Sequence, residues 1–108
     1  MNIKKPYYAV IFTNTRTEVD KGYSEMAQQM EDLARQQPGF LDFESARDGL
    51  GISVSYWESL EDIAKWKANT DHLFAQKKGI SDWYKWYKVR ICLVEREYGF
   101  IKKNPALE

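Results

Sequence analysis

The sequence predicts an α+β ferredoxin-like subunit, a four-stranded antiparallel sheet with its helices on one face. Three observations lead there. Strand-like apolar runs occur at Tyr7 to Thr15, Phe40 to Arg47, Ile52 to Glu58 and Tyr87 to Tyr98. A helical stripe separates the first two runs. Between the third and fourth, the apolar spacing switches from that of a strand to that of a helix. The resulting order is βαββαβ with an extra helical segment, the split βαβ arrangement.

The first strand is apolar on both sides, with Tyr8, Val10 and Phe12 on one face and Tyr7, Ala9 and Ile11 on the other. Such a strand expects cover on both faces. The first helix, Asp20 to Gln37, carries Tyr23, Met26, Ala27, Met30, Leu33 and Ala34 on one stripe, with Asp20 as its N-cap. Pro38-Gly39 ends it, because proline lacks an N–H and glycine accepts a left-handed backbone. Asp48-Gly49-Leu50-Gly51 predicts the hairpin turn that brings strand three back along strand two. In strand three, Ile52, Val54 and Tyr56 alternate with Ser53, Ser55 and Trp57, which predicts an apolar face over the first three.

Ser59, with Asp62 three residues on, reads as a capping box opening a helix that runs to Lys67. Thr70 reads as the cap of a separate short helix, stopped at Gly79, and Ser81-Asp82-Trp83 as one further turn. The fourth strand points Tyr87, Val89, Ile91 and Leu93 one way, and Lys88, Arg90, Cys92, Val94 and Arg96 the other.

The composition narrows the function classes. At 108 residues the chain is one domain, with residues 99–108 a polar peripheral tail. A domain this small gains from a partner subunit. Sixteen basic residues balance sixteen acidic ones, so there is no electrostatic case for nucleic acid or an anionic membrane. No apolar run reaches the roughly 20 residues of a bilayer span. A single cysteine, Cys92, precludes an internal disulfide, and the first six residues lack a signal peptide's apolar segment; a cytoplasmic location is expected. One histidine and one cysteine are too few for an ordinary zinc site, so no metal is expected. Because helices cover one face of such a sheet, the other face is expected to pack against a second copy in a two-fold dimer.

The segments Tyr7-Tyr8-Ala9-Val10-Ile11-Phe12-Thr13, Gln37-Pro38-Gly39-Phe40-Leu41 and Val54-Ser55-Tyr56-Trp57-Glu58-Ser59, then Trp66 and His72, resemble the antibiotic biosynthesis monooxygenase family, over roughly residues 7–98. The resemblance implies a homodimeric α/β barrel. It also implies a pocket between sheet and second helix, and a cofactor-independent oxygenation of a small quinol- or anthrone-like aromatic. Non-catalytic binding of a hydrophobic ligand and heme binding or degradation are the alternatives it leaves open.

On this reading Trp66 lines the pocket, as a packing tryptophan would also line a core. His72, the only histidine, is a candidate base, and equally a surface residue at a helix start. Asn14 assists proton transfer or binds an anion, and Arg16 donates hydrogen bonds to it; both residue types are also common at strand ends. Tyr56 orients the substrate and Phe12 contacts it. The heme-degrading members place a histidine further after the tryptophan than His72, at a position that holds Gln76 here, which disfavours axial heme ligation. Trp83, Trp86 and Tyr87 form an aromatic cluster suited to an interface or a pocket lid. Cys92, inside a strand among apolar residues, is expected to be inert.

Overall fold

The computed structural model describes residues 6–77 and 80–103, with the side chains of 74–77 and 80 left out. Its elements are β1 (Tyr7–Arg16), α1 (Tyr23–Arg35), β2 (Phe40–Asp48), β3 (Leu50–Trp57), α2 (Leu60–Lys77), α3 (Ile80–Trp83) and β4 (Tyr84–Val94). The strands form one sheet in the order β2-β3-β1-β4, and every neighbouring pair is antiparallel. This is the ferredoxin-like βαββαβ fold.

The two faces of the sheet are fixed by what packs on them. Val10, Trp57, Ala34 and Ile63 form one buried cluster, joined by Tyr8, Phe40 and Trp66. Met26, Trp83 and Tyr84 form a second, joined by Phe12, Tyr23 and Met30. The even-numbered residues of β1 therefore face the helices. Register then places Gly51, Ser53, Ser55 and Trp57 of β3 on that same face, and Tyr87, Val89, Ile91 and Leu93 of β4 beside them. The apolar trio Ile52, Val54 and Tyr56 points away from the helices, opposite to the expectation drawn from polarity alone. Two helix-facing serines are tolerated because they leave room for large neighbours, and Trp57 Nε1 donates to Ser55 Oγ at 2.8 Å.

Two bulges adjust the pattern. An extra residue enters β4 between the partners of Thr15 and Arg16, so Tyr84 and Tyr87, three apart, share the helix face. Another enters β2 between Phe40 and Asp42 and lets the Phe40 ring meet Trp57 edge-on, 5.6 Å between centroids.

The helices differ in detail from expectation. Helix α1 begins at Tyr23, and its N-cap is Gly22, at φ 81°, rather than Asp20. The Asp20 carboxylate is taken instead by Arg16, at 3.0 Å. Residues 60–77 form one continuous helix, not two. Thr70, read as a cap, lies buried inside it and donates its hydroxyl proton to the Lys67 carbonyl, at 2.8 Å. The same local bonding that favours threonine at caps satisfies it in mid-helix. The expected stop at Gly79 lies outside the described residues. At the start of α2, Ser59 Oγ accepts the Asp62 N–H at 3.1 Å and donates to the Asp62 carboxylate at 2.8 Å. β4 ends at Val94, short of the expected Tyr98.

On the helix-free face, Tyr7 and Ala9 are already buried within the single chain, Tyr7 against the Tyr56 ring at 5.8 Å. The exposed apolar surface of that face is at Leu50, Ile52 and Trp86; on the helix side the β4 row Tyr87, Val89, Ile91 and Leu93 is about half exposed, and Tyr98, Phe100 and Ile101 stand in solvent beyond β4. No helix among the described residues is long and apolar enough to cross a membrane.

Candidate functional site

Asn14 is the most deeply buried polar residue of the sheet, 2% exposed, on the helix-facing side. It belongs to a row that crosses all four strands. Arg47 of β2 is paired with Gly51 of β3, Gly51 with Asn14 of β1, and Asn14 with Tyr87 of β4. Because β-carbons alternate across a sheet, these four residues present to the same, helix-facing side. Arg47 Nη2 donates to Asn14 Oδ1 at 2.5 Å and to Tyr23 Oη, on α1, at 3.4 Å. The guanidinium reaches across β3 only because Gly51 has no side chain, since a β-carbon there would overlap it. Among the described residues, the Asn14 side-chain N–H₂ has no acceptor.

Aromatic rings border this polar row. Phe12 meets Tyr84 edge-on at 5.5 Å and Tyr87 at 5.4 Å, and Tyr23 meets Tyr84 at 5.8 Å. Burial, and then a hydrogen bond with Tyr23, hold the Tyr84 hydroxyl protonated well above the ordinary phenol range, while Arg16 and Arg47 pull the other way. Arg16 stacks its guanidinium on the Tyr23 ring, 3.2 Å from the centroid. Its donors are engaged by the carbonyls of Trp83 and Val19 and by Asp20. Arg16 thus ties the end of β1 to α3 and to the loop before α1. Trp83, buried beneath it, donates to the Lys21 carbonyl at 2.9 Å.

Trp66 lies further along the same face, tilted over Trp57 at 5.1 Å. Its buried Nε1–H finds no acceptor among the described residues. An unpaired buried donor costs on the order of 1–3 kcal/mol, so this indole is suited to an acceptor brought from outside the chain. Along β1, Val10 beside Trp66 and Asn14 are four residues apart, roughly 13 Å. Trp66 and Asn14 therefore mark two ends of one face.

The residues singled out from sequence are not all gathered there. Asn14, Phe12 and Arg16 cluster at one end, and Trp66 stands at the other. Tyr56 lies on the opposite side of the sheet, where it donates to Glu44 Oε1 at 2.7 Å. The sheet itself separates it from Asn14 and Trp66. Burial and the Glu44 contact push the Tyr56 hydroxyl up to about 12. His72 is on the exposed side of α2. Gln76, at the position compared with a heme ligand, has a side chain outside those described. Trp86 is 45% exposed on the helix-free face, away from Tyr87; both lie within β4, which starts at Tyr84 rather than the expected Tyr87, so the aromatic cluster expected before that strand is split between the two faces. Arg47, Gly51, Tyr23 and Tyr84 were not singled out. The available signal was the strand-two to strand-three register, which sets Arg47 opposite Gly51.

The shifted tyrosines predict an alkaline weakness. All three such phenols, Tyr7, Tyr56 and Tyr84, titrate near 10 when unfolded, and the fold holds their protons to higher pH. Their stabilising effect is complete below pH 10 and is lost as pH rises from 10 toward 12 and beyond. Urea unfolding across that range is expected to show stability falling by roughly 1 kcal/mol per pH unit, carried mainly by the buried Tyr84 because solvent screens the Tyr56–Glu44 pair. The slope is expected to flatten in Tyr84→Phe, and an unchanged slope would show that Tyr84 ionises freely.

Comparison with known proteins agrees with this architecture. The family model described as antibiotic biosynthesis monooxygenase matches residues 6–78. An uncharacterised protein, YqjZ of Bacillus subtilis (strain 168), is 51% identical over 97 residues, covering 88% of this chain and 85% of that protein. Among solved structures, PA3566 of Pseudomonas aeruginosa superposes with a TM-score of 0.65 at 16% identity, over 90% of this chain and 100% of that one. SnoaB, a cofactor-independent oxygenase from Streptomyces nogalater, does so with a TM-score of 0.65 at 10% identity, over 92% and 97%. Identities that low speak for the fold alone. The match over residues 6–78, joined to the YqjZ identity along most of both chains, makes this chain a member of the antibiotic biosynthesis monooxygenase family.

Proposed function

We propose that the chain is a cofactor-independent monooxygenase of a small, electron-rich aromatic, a quinol or an anthrone. The observation that carries this reading is Asn14, a buried amide whose oxygen is held by Arg47 and whose N–H₂ has no acceptor among the described residues, beside the Phe12, Tyr84 and Tyr87 rings. A flat substrate bound against those rings would set its phenolic or enolic oxygen on Asn14. Hydrogen bonding there stabilises the anion, and the anion is the form that gives an electron to O₂. For an anthrone, one oxygen atom becomes the new carbonyl and the other leaves as water with the two displaced hydrogens. Trp66 would supply a further wall and one donor. The exposed apolar residues Leu50, Ile52, Tyr98, Phe100 and Ile101 support assembly as a homodimer, which sedimentation at several concentrations would read.

Oxygen uptake with a panel of quinols and anthrones tests the reaction. Asn14→Ala is expected to lower kcat by about a hundredfold, the size of one lost oxyanion donor. His72→Ala is expected to leave it within about twofold, because that side chain lies on the exposed side of α2. Thermal stabilisation by these aromatics without oxygen uptake would replace the monooxygenase with a binding module for the same ligands. The absence of both oxygen uptake and thermal stabilisation would remove the proposal.

A further inference from the structure

We propose that the ligand of this face carries a permanent negative charge, a carboxylate on its aromatic body, and that Arg47 is the residue that reads it. This rests on the aromatic site proposed above and adds the ligand's charge.

The case begins with how Arg47 is held. An arginine on a strand near the sheet edge ordinarily keeps its long side chain mobile in water, and fixing it costs rotamer entropy. Here three features fix it: the Asn14 carboxamide oxygen at 2.5 Å, the Tyr23 hydroxyl at 3.4 Å, and the bare Gly51 backbone beneath the guanidinium. None of these compensates the charge. No carboxylate lies within 4.0 Å of Arg47 among the described residues, whereas Arg16 is paired with Asp20 and Arg35 with Glu31. Arg47 is thus an immobilised cation without a counter-ion.

Its remaining donors complete the argument. A guanidinium has five N–H groups, and the two on Nη2 are spent on Asn14 and Tyr23. Those on Nη1 and Nε have no acceptor among the described residues. Arg47 is exposed while Asn14, its neighbour but one across the sheet, is buried. A ligand whose reacting oxygen meets Asn14 therefore extends outward past Gly51, and a substituent on that side lands on Arg47. Carboxylates suit a pre-positioned guanidinium, because the charge-assisted bonds form without further ordering of the side chain.

Naphthoic acid and naphthol provide a matched pair, the first an anion at neutral pH and the second not. Fluorescence titration is expected to show naphthoate binding about tenfold more tightly than naphthol, with the preference shrinking as salt is added. Arg47→Gln is expected to abolish the preference, lowering naphthoate affinity about tenfold more than naphthol affinity. Gly51→Ala provides a second variant that keeps the charge. Its backbone accepts alanine, and only the flexible Arg47 side chain has to move aside, so the fold is retained while the preference falls. Equal affinities in the wild-type protein, binding of neither compound, or a preference that survives Arg47→Gln would each overturn the proposal. So would equal loss of both ligands in Arg47→Gln, since that residue would then be shaping the site rather than reading charge. Oxygen uptake is a separate readout. A charge preference without turnover leaves this inference standing and removes the monooxygenase, and turnover without a preference does the reverse.

Discussion

Replacing Trp57 by alanine is expected to remove about 3–5 kcal/mol of folding stability, the cost of deleting a large buried aromatic. Few side chains in this chain make so many contacts at once. Trp57 is fully buried, stacks on Trp66, takes the edge of Phe40, and spends its indole N–H on Ser55. The substitution leaves a cavity where α2, β2 and β3 converge, and it leaves the buried Ser55 hydroxyl without that partner. A domain of this size holds on the order of 5–15 kcal/mol in total, so the variant is expected to fall close to its unfolding threshold. Trp57→Phe separates the two contributions. It keeps most of the ring volume and loses the hydrogen bond, with an expected cost of about 1–3 kcal/mol. Chemical denaturation followed by far-ultraviolet circular dichroism reads both. Near-equal costs for Phe and Ala would mean that the cavity collapses freely. A double-mutant cycle with Trp66→Leu is expected to show a coupling of about 0.5–1.5 kcal/mol, the range for a stacked aromatic pair.

Trp57 also shows what was legible in the sequence and what was not. The strand pattern around it was plain, and so was its junction with a capped helix at Ser59. The topology followed, because strand and helix periods are set by local backbone geometry. Which face of β3 meets the helices was misread, since Ile52, Val54 and Tyr56 are the greasier set. Polarity is a poor guide where small residues make room for large ones: Ser53 and Ser55 sit under the helices because Phe12, Val10 and Trp57 fill that layer. Tyr56 went to the wrong side for the same reason. The bulge that turns Tyr84 toward Tyr87 leaves no mark in apolar spacing, because an extra residue in a strand looks like any other. Asn14 was found, being an amide at the end of an apolar strand. Arg47 and Tyr23 were not, because Arg47 meets Asn14 and Tyr23 only through strand register and helix placement, across separations of 33 and 24 residues. Gly51 looked like turn chemistry, and its importance lies in what crosses over it.

Gly39→Ala is the companion prediction, with an expected loss of about 2–4 kcal/mol from a single added methyl group. Two penalties combine. Gly39 has φ 81°, a left-handed backbone that alanine adopts at a cost of about 1–2 kcal/mol. Its missing side chain is also where the Asp62 carboxylate lies, and an added β-carbon would collide with that group. Asp62 cannot simply swing away, because its carboxylate receives the Ser59 hydroxyl proton and its N–H is capped by the same oxygen. The Gly39 carbonyl in turn accepts the Glu58 N–H at 2.8 Å, which fastens the turn before β2 to the junction before α2. The methyl group therefore strains a turn and opens a helix cap together. Asp62→Ala distinguishes the two effects. It removes the carboxylate and leaves only the residue-62 β-carbon, 2.9 Å from the added one, so Gly39→Ala is expected to cost little more than the backbone strain when placed on that background. A cost unchanged by Asp62→Ala would show that the left-handed turn alone sets the requirement for glycine. Because α2 carries Trp66 onto Trp57, loosening its cap is also expected to weaken aromatic-ligand binding in the folded fraction, and titration of the purified variant with naphthol would detect that loss.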